Sequence, residues 1–502
     1  MKLNKLPQIG FETLWILVVV SGVFIFINTQ PIRPHDFWWH LALGREIAAT
    51  HTIPSVDVYS FIMQGTPYPS YQMFWLIDVA LYSMYNLGGP ALVIFVQSLI
   101  VSTTYGLLLW LCWKQSNSTR IAAFSAIIAI ALGINNWNVR PQTFSYLLGV
   151  LFLVAIYSFR VSGRKSWLII PPLGMLVWVN SHGSFVIGLV LIGIWVGDEL
   201  WQVAVDYYQK NERSFEGLWT SLILLGLTGL MCLVNPRGLG IVSYVRSLTG
   251  NAAVVNLVTE WAPPNFNNVS GIIFFTAFIL VAVVLAVSPK RPNFFQLGTF
   301  VIFGILSLRT TRGVLWFGIV IAPILAEHLA ELIDAIRREP EQVKFRKGNQ
   351  VINWTLFGII FAAILISLPW FKNSLPFPSL KAGLISAETP LKATQFLIKK
   401  QLPPDIFNEM GFGSYLIWAA YPDYQVFVDP RIELYPIETW WDYSAVGNAL
   451  PGWQNLLDQY EIRTLMLSPE NQAPIVAALR DSPDWILEYE DLVALIFTRK
   501  DR

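Results

Sequence analysis

The chain has 502 residues, of which 54% are hydrophobic and 13% charged, with a net charge of +1. Soluble globular chains carry roughly 25% charged residues, so this composition excludes an ordinary soluble domain and points to a polytopic membrane protein. Near-zero net charge implies no nucleic-acid partner, and two cysteines inside apolar runs, Cys112 and Cys232, leave no disulfide framework.

Taken in order, the apolar runs predict eleven spans: Phe11–Thr29, Pro90–Trp113, Ile121–Asn135, Gln142–Phe159, Trp167–Val179, Phe185–Leu200, Leu218–Val234, Gly271–Val287, Phe294–Leu308, Val314–Leu329 and Val351–Trp370. The first follows Lys2 and Lys5 with no small-residue cleavage signal, so it reads as a retained span. Placing the N-terminus in the cytoplasm puts Arg164, Lys165, Lys290, Arg291 and Arg337 there as well, in line with the positive-inside rule, and leaves residues 371–502 outside. The basic residues left in the outer loops are all arginine: Arg33, Arg45, Arg140, Arg237, Arg246, Arg309 and Arg312. Each alone is an ordinary interface anchor. Together they suit an anionic ligand, because guanidinium binds phosphate in a planar, two-pronged way.

The first outer loop begins "RPHDFWWHLALGRE". Asp36 to Ala49 reads as a helix lying in the membrane interface, with Phe37, Trp38, Leu41 and Ile47 toward the headgroups. Asp36 and His40 are four apart, on one face. A carboxylate near lipid is partly desolvated and suits a base or a cation ligand, although aspartate at a helix start is also an ordinary cap. Further outer turns offer Arg140 in "NNWNVRPQ", His182 in "WVNSHGSF", Arg237 in "VNPRGLG", Glu260 in "TEWAPPNF", and Arg309 with Arg312 in "SLRTTRG", three apart on one expected helical face. Asn180, Ser181 and His182 follow a run too short to cross alone, so they are expected to dip into a cavity. Asn268 opens an N-x-S sequon.

The tail alternates helix and strand signals and predicts a small α/β domain, so the expected division is 1–370 membrane and 371–502 extramembrane. Its helix "ETPLKATQFLIKK" has Thr389 as expected cap. "DIFNEMGFGSYL" mimics part of a dinucleotide fingerprint but lacks the third glycine, Leu416 standing there, so the glycines read as structural. Asp429 and Arg431, at a strand end, are candidates to touch an acceptor.

The order of elements after the first span, an acidic residue at the start of a juxtamembrane helix and then "LGREIAATHTIPSVDVYSFIMQGTPYPSYQMFWLIDVALYSMYNLGG", resembles the GT-C class of membrane glycosyltransferases, nearest the protein O-mannosyltransferase and lipid A aminoarabinose transferase branch. The resemblance covers about the first 115 residues well and the span plan loosely to Trp370. It implies a polyprenyl-phosphate sugar donor, a lipid, glycan or protein acceptor, inverting transfer on the outer face of a bacterial inner or plasma membrane, and Asp36 as catalytic base. His40, Arg140, His182, Arg237, Glu260, Arg309 and Arg312 are then the substrate-binding candidates. Many members have paired acids where this chain has Asp36-Phe37, and Glu260 is only a substitute for their second loop acid. The resemblance fixes no cofactor, and a divalent metal is possible. The alternatives are a polymerase or ligase of lipid-linked glycans, told apart by its donor, and a transporter or flippase, which would move substrate without forming a bond. The near absence of charge at mid-span counts against transport.

Overall fold

The computed structural model describes residues 10–210, 212, 214–337, 349–371 and 383–500. Apolar runs bounded by caps give the helices α1 (Phe11–Thr29), α2 (Phe37–Thr50), α3 (Tyr71–Ser116), α4 (Thr119–Gly133), α5 (Gln142–Ser162), α6 (Ile170–Trp178), α7 (Val186–Gln209), α8 (Glu216–Met231), α9 (Gly240–Gly250), α10 (Ala252–Leu257), α11 (Val269–Val287), α12 (Phe294–Arg309), α13 (Thr311–Arg337) and α14 (Gln350–Ser367). Asparagines start several of them. Asn268 accepts from Gly271 N, Asn349 from Val351 N, and Asn293 forms a reciprocal capping box with Gln296. The sequon residue Asn268 is thus a helix cap.

Every expected span falls on a helix. Among the described residues eight helices are long and apolar enough to cross a membrane, and α8 and α12 are shorter apolar helices. The expected span Trp167–Val179 is a 3-10 turn followed by the nine-residue α6, too short to cross alone. The span expected from Pro90 is the second part of α3, which bends at Gly88 and Gly89 just before Pro90.

Contacts divide the chain into two compact units. One comprises residues 1–30, 94–238 and 259–381, the other 31–93, 239–258 and 382–502. The tail therefore shares its unit with the first outer loop. In the first unit α13 is the central helix: 89% of its most apolar window is buried, against 11% for α14. Trp316 of α13 stacks on Trp178 of α6, and Phe317 packs among Phe274, Phe278 and Phe300 of α11 and α12.

The second unit continues with α15 (Leu391–Lys400), β1 (Asp405–Asn408), α16 (Met410–Ala419), β2 (Gln425–Val426), α17 (Ile437–Gly447), α18 (Trp453–Gln459), β3 (Thr464–Leu467), α19 (Ala473–Arg480), β4 (Trp485–Glu490) and β5 (Leu495–Arg499). The strands form one mixed sheet in the order β2-β1-β3-β5-β4, with β1 parallel to β2 and β3, and β5 antiparallel to β3 and β4. The α/β expectation for the tail holds, with local corrections. Strand β2, within "YQVFVDP", is only two residues long, because the Asn408 side chain takes over the next ladder positions, accepting from Phe427 N and donating to Val428 O. Thr389 is not a cap: Pro390 occupies that position and the Thr389 hydroxyl is buried without a partner among the described residues. "MGFGS" opens helix α16. Glu409 caps α16 by accepting from Phe412 N, and Gly413 lies against the Val428 backbone so closely that a Cβ would clash with its carbonyl. This is a packing glycine, as the structural reading of the motif requires.

Helix α2 does not lie as its composition suggests. Its apolar face is buried by protein rather than turned to headgroups: Phe37, Trp38, Leu41 and Ile47 are all buried, Trp38 meeting Tyr415 of α16 edge-on. Trp39 N donates to Ser414 Oγ at 3.0 Å, and Gly44 lets α2 cross the carbonyl of Asp78 on α3 with no room for a Cβ. Aromatic side chains suit protein cores as well as membrane interfaces, so composition alone does not choose between them.

Candidate active site

In the first unit, three of the sequence-predicted side chains come together as one ionic group. Arg140 stands in the turn between α4 and α5. Gln97 fixes that turn from α3, its amide donating to Trp137 O and Thr143 Oγ1 at 3.1 Å each. Glu260 sits on a one-turn helix, Thr259–Trp261, tied to the start of α13 by the Thr311 N–H and hydroxyl, both donating to Ala262 O at 2.9 Å. Arg312 lies in the first turn of α13. Glu260 accepts one guanidinium on each oxygen: Arg140 Nη1 to Oε1 and Arg312 Nε to Oε2, both at 2.8 Å. The side chains are 16%, 25% and 36% exposed for Arg140, Glu260 and Arg312, so the group is shielded yet reachable. Arg312 also lies over the Trp261 ring at 5.9 Å.

Burial pushes the Glu260 carboxyl up, but the two guanidiniums outweigh it and hold it down at about 2. His182 feels the same charges. Burial and then Arg312 and Arg140 push its imidazole down to about 3, against a smaller upward pull from Glu260. Ser184 N donates to Nδ1 at 3.1 Å, which leaves the proton of the neutral ring on Nε2. Two guanidiniums, one carboxylate and a neutral imidazole carry one net positive charge, an electrostatic setting for an anion.

The other candidates in this unit are placed differently. Arg309 and Arg312 do not share a helical face. Thr310 is extended (φ −143°, ψ 136°), so α12 ends at Arg309, which is exposed, and a new helix starts before Arg312. A β-branched residue between two helices breaks the register that the spacing implied. Arg237 lies in a turn where its N–H donates to Asn235 Oδ1 at 2.8 Å. Asn180 and Ser181 are buried, Asn180 donating to Leu176 O and Val234 O at 2.8 Å.

Asp36 belongs to the second unit. It occupies the position before α2, half-buried, and its side chain makes no capping hydrogen bond, so the ordinary capping role is not what it does. One turn on, His40 is buried, stacked on Trp39 at 3.5 Å, with Nδ1 hydrogen-bonded to Asp78 Oδ1 at 2.8 Å. Asp78 gave no sequence signal: it sits in the apolar run "FWLIDVAL", and its partner is 38 positions away. Asp429 and Arg431 are not acceptor contacts on a surface. Both are buried, Arg431 pairing with Asp429 (Nη2 to Oδ2, 2.6 Å) and with buried Asp57 of the first loop, while Tyr71 OH donates to Asp57 at 2.8 Å. A buried guanidinium needs such partners, and here it joins two segments far apart in sequence.

Among the described residues no three His, Cys, Asp or Glu side chains come together as a metal-binding group.

No protein-family model matches the sequence, and no curated protein matches it. Solved structures do. The chain is similar to the Archaeoglobus fulgidus oligosaccharyltransferase in its apo form, at 11% identity, covering 91% of this chain and 69% of that one with a TM-score of 0.57. It is similar to the same organism's oligosaccharyltransferase AglB in complex with an inhibitory peptide and a dolichol-phosphate, at 11% identity, 91% and 69% coverage and a TM-score of 0.54. It is also similar to apo ArnT from Cupriavidus metallidurans, at 12% identity, 96% of both chains and a TM-score of 0.51. At such identities the likeness is one of fold, and it agrees with the resemblance carried by the first outer loop: this chain has the fold of the GT-C membrane glycosyltransferases.

Proposed function

We propose that the chain is an inverting glycosyltransferase that moves a sugar from a polyprenyl-phosphate donor to an acceptor hydroxyl on the outer membrane face. The observation that carries the proposal is the Arg140–Glu260–Arg312 group with neutral His182, set in a GT-C fold. A lipid phosphate of the kind bound to the archaeal relative suits this positive, half-shielded group. As the bond between the anomeric carbon and the phosphate oxygen breaks, the leaving phosphate gains a negative charge, which guanidiniums stabilise more than they stabilise the ground state. Glu260 holds both guanidiniums in place before the donor arrives, and His182 Nε2–H supplies a neutral donor.

The acceptor oxygen attacks the anomeric carbon from the face opposite the phosphate, which inverts its configuration, and its proton passes to a base. Asp36 is the proposed base, supported by its position after the first span at the start of α2.

The test is turnover of a synthetic polyprenyl-phosphate sugar by the purified full chain in nanodiscs. Asp36→Asn should lower transfer by about 10²–10⁴-fold, the usual share of a general base, with donor binding kept. Arg140→Gln and Arg312→Gln should instead lose donor binding. Near-normal turnover in Asp36→Asn overturns the base assignment, and unchanged donor binding in both arginine variants overturns the donor site.

A further inference from the structure

Within the second unit a pocket of about 160 Å³ lies between the loop that precedes α3, the α9–α10 segment and the turn at Ile432–Leu434, with Pro67, Tyr68, Ser70, Tyr244, Asn251 and Glu433 on its walls. We propose that this pocket holds an uncharged sugar residue, as the acceptor subsite of the transfer. The proposal rests on the transferase reading above for its role, though not for the binding itself.

Three observations carry it. The size is that of a few water molecules, at roughly 30 Å³ each, the scale of one sugar ring rather than of a lipid chain. The walls combine tyrosine rings and a proline, which suit the C–H faces of a pyranose, with a small number of polar groups that can fix its orientation. The main polar group is Glu433. Its Oε1 accepts from Tyr68 OH at 2.6 Å and from Ser70 Oγ at 3.1 Å, so two donors orient the carboxylate, and its Oε2 has no hydrogen-bond partner among the described residues. A carboxylate only accepts, and a sugar hydroxyl is the donor that fits it.

Charge decides against the anionic alternatives. Arg431 lies behind the Tyr68 ring at 5.5 Å, but Asp57 and Asp429 both pair with it. Glu433 is the charged residue on the pocket wall, and a carboxylate repels phosphates and uronic acids and favours hydroxyl donors. The donor phosphate proposed above calls for the opposite charge, which makes this pocket chemically distinct from the arginine group.

The probes are the methyl glycosides of glucose, galactose, mannose and N-acetylglucosamine, with glucose 6-phosphate as the anionic counterpart. Binding to the full chain in nanodiscs is read by saturation-transfer NMR, and melting is recorded for each variant. At least one glycoside should bind, glucose 6-phosphate should not, and Glu433→Gln should weaken binding at least tenfold. Tyr244→Ala removes the opposite wall and should do the same, so it decides the matter if Glu433→Gln fails to fold. Absence of binding by all four glycosides, equal binding of glucose 6-phosphate, or unchanged affinity in a folded Glu433→Gln overturns the proposal. The readout needs no turnover, so an inactive wild type that still binds a glycoside at Glu433 refutes the transferase reading and leaves the sugar site standing.

Discussion

Replacing Glu260 by glutamine keeps its shape and removes the charge that both Arg140 and Arg312 meet. The carboxyl is held at about 2 against an ordinary 4.5. At roughly 1.4 kcal/mol per pH unit, that difference makes the ionised form's interactions worth on the order of 3 kcal/mol. Its partners are 16% and 36% exposed, so solvent screening reduces the loss to about 2 kcal/mol, a fall in melting temperature of a few degrees for a chain of this size. The sign is that of a depressed acid: the stabilisation is fully present above about 4.5 and is lost as pH falls toward about 2, so Glu260→Gln should be less stable than wild type at pH 7 and should lack that acid-side loss. The variant also has two guanidiniums without a counter-charge, so polyprenyl phosphate should raise its melting temperature more than it raises that of the wild type. The assay is thermal unfolding by intrinsic fluorescence in nanodiscs, with and without the lipid phosphate. A variant that melts like the wild type and gains nothing extra from the lipid would refute the ionic group as an anion site.

Three further outcomes are expected. His182 is neutral in the fold with its imidazole held at about 3, below an ordinary 6.5, so the unfolded chain takes up the proton first and stability falls as pH drops below about 6.5; in His182→Gln the drop in melting temperature between pH 7 and pH 5 should shrink, and an undiminished drop refutes the assignment. Arg312→Lys keeps the charge but loses the planar geometry, so donor affinity should fall roughly ten- to hundredfold, whereas Arg309→Lys, exposed at the end of α12, should change it little; equal losses, measured by titration with polyprenyl phosphate, would restore the pairing that the spacing suggested. A reporter fused after Arg502 should be active only outside the cytoplasm and one at Gly348 only inside; a cytoplasmic C-terminus would remove the outer-face reading.

The sequence by itself determined the elements, because the forces that make them are local. Runs of apolar residues become helices that satisfy their own backbone, as lipid requires, and α1 spans the residues its hydrophobic run marked, Phe11–Thr29. The strands of the tail were legible in the same way from β-branched and aromatic runs such as "LIFT". The arginines of the outer loops were legible as a class, since residue type alone singles out phosphate chemistry. Only the tertiary structure decided which of them act together. Arg312 meets Glu260, 52 positions away, and Arg140 meets it from 120, while the nearer Arg309 is separated by one extended threonine. Likewise no local pattern pairs Asp57 with Arg431, 374 positions apart, or His40 with Asp78. Nor did composition reveal that α2 buries its tryptophans against α16 instead of lipid. A charged or aromatic side chain declares what kind of partner it needs, and chain topology alone brings that partner within about 3 Å, the range where hydrogen bonds and ion pairs act.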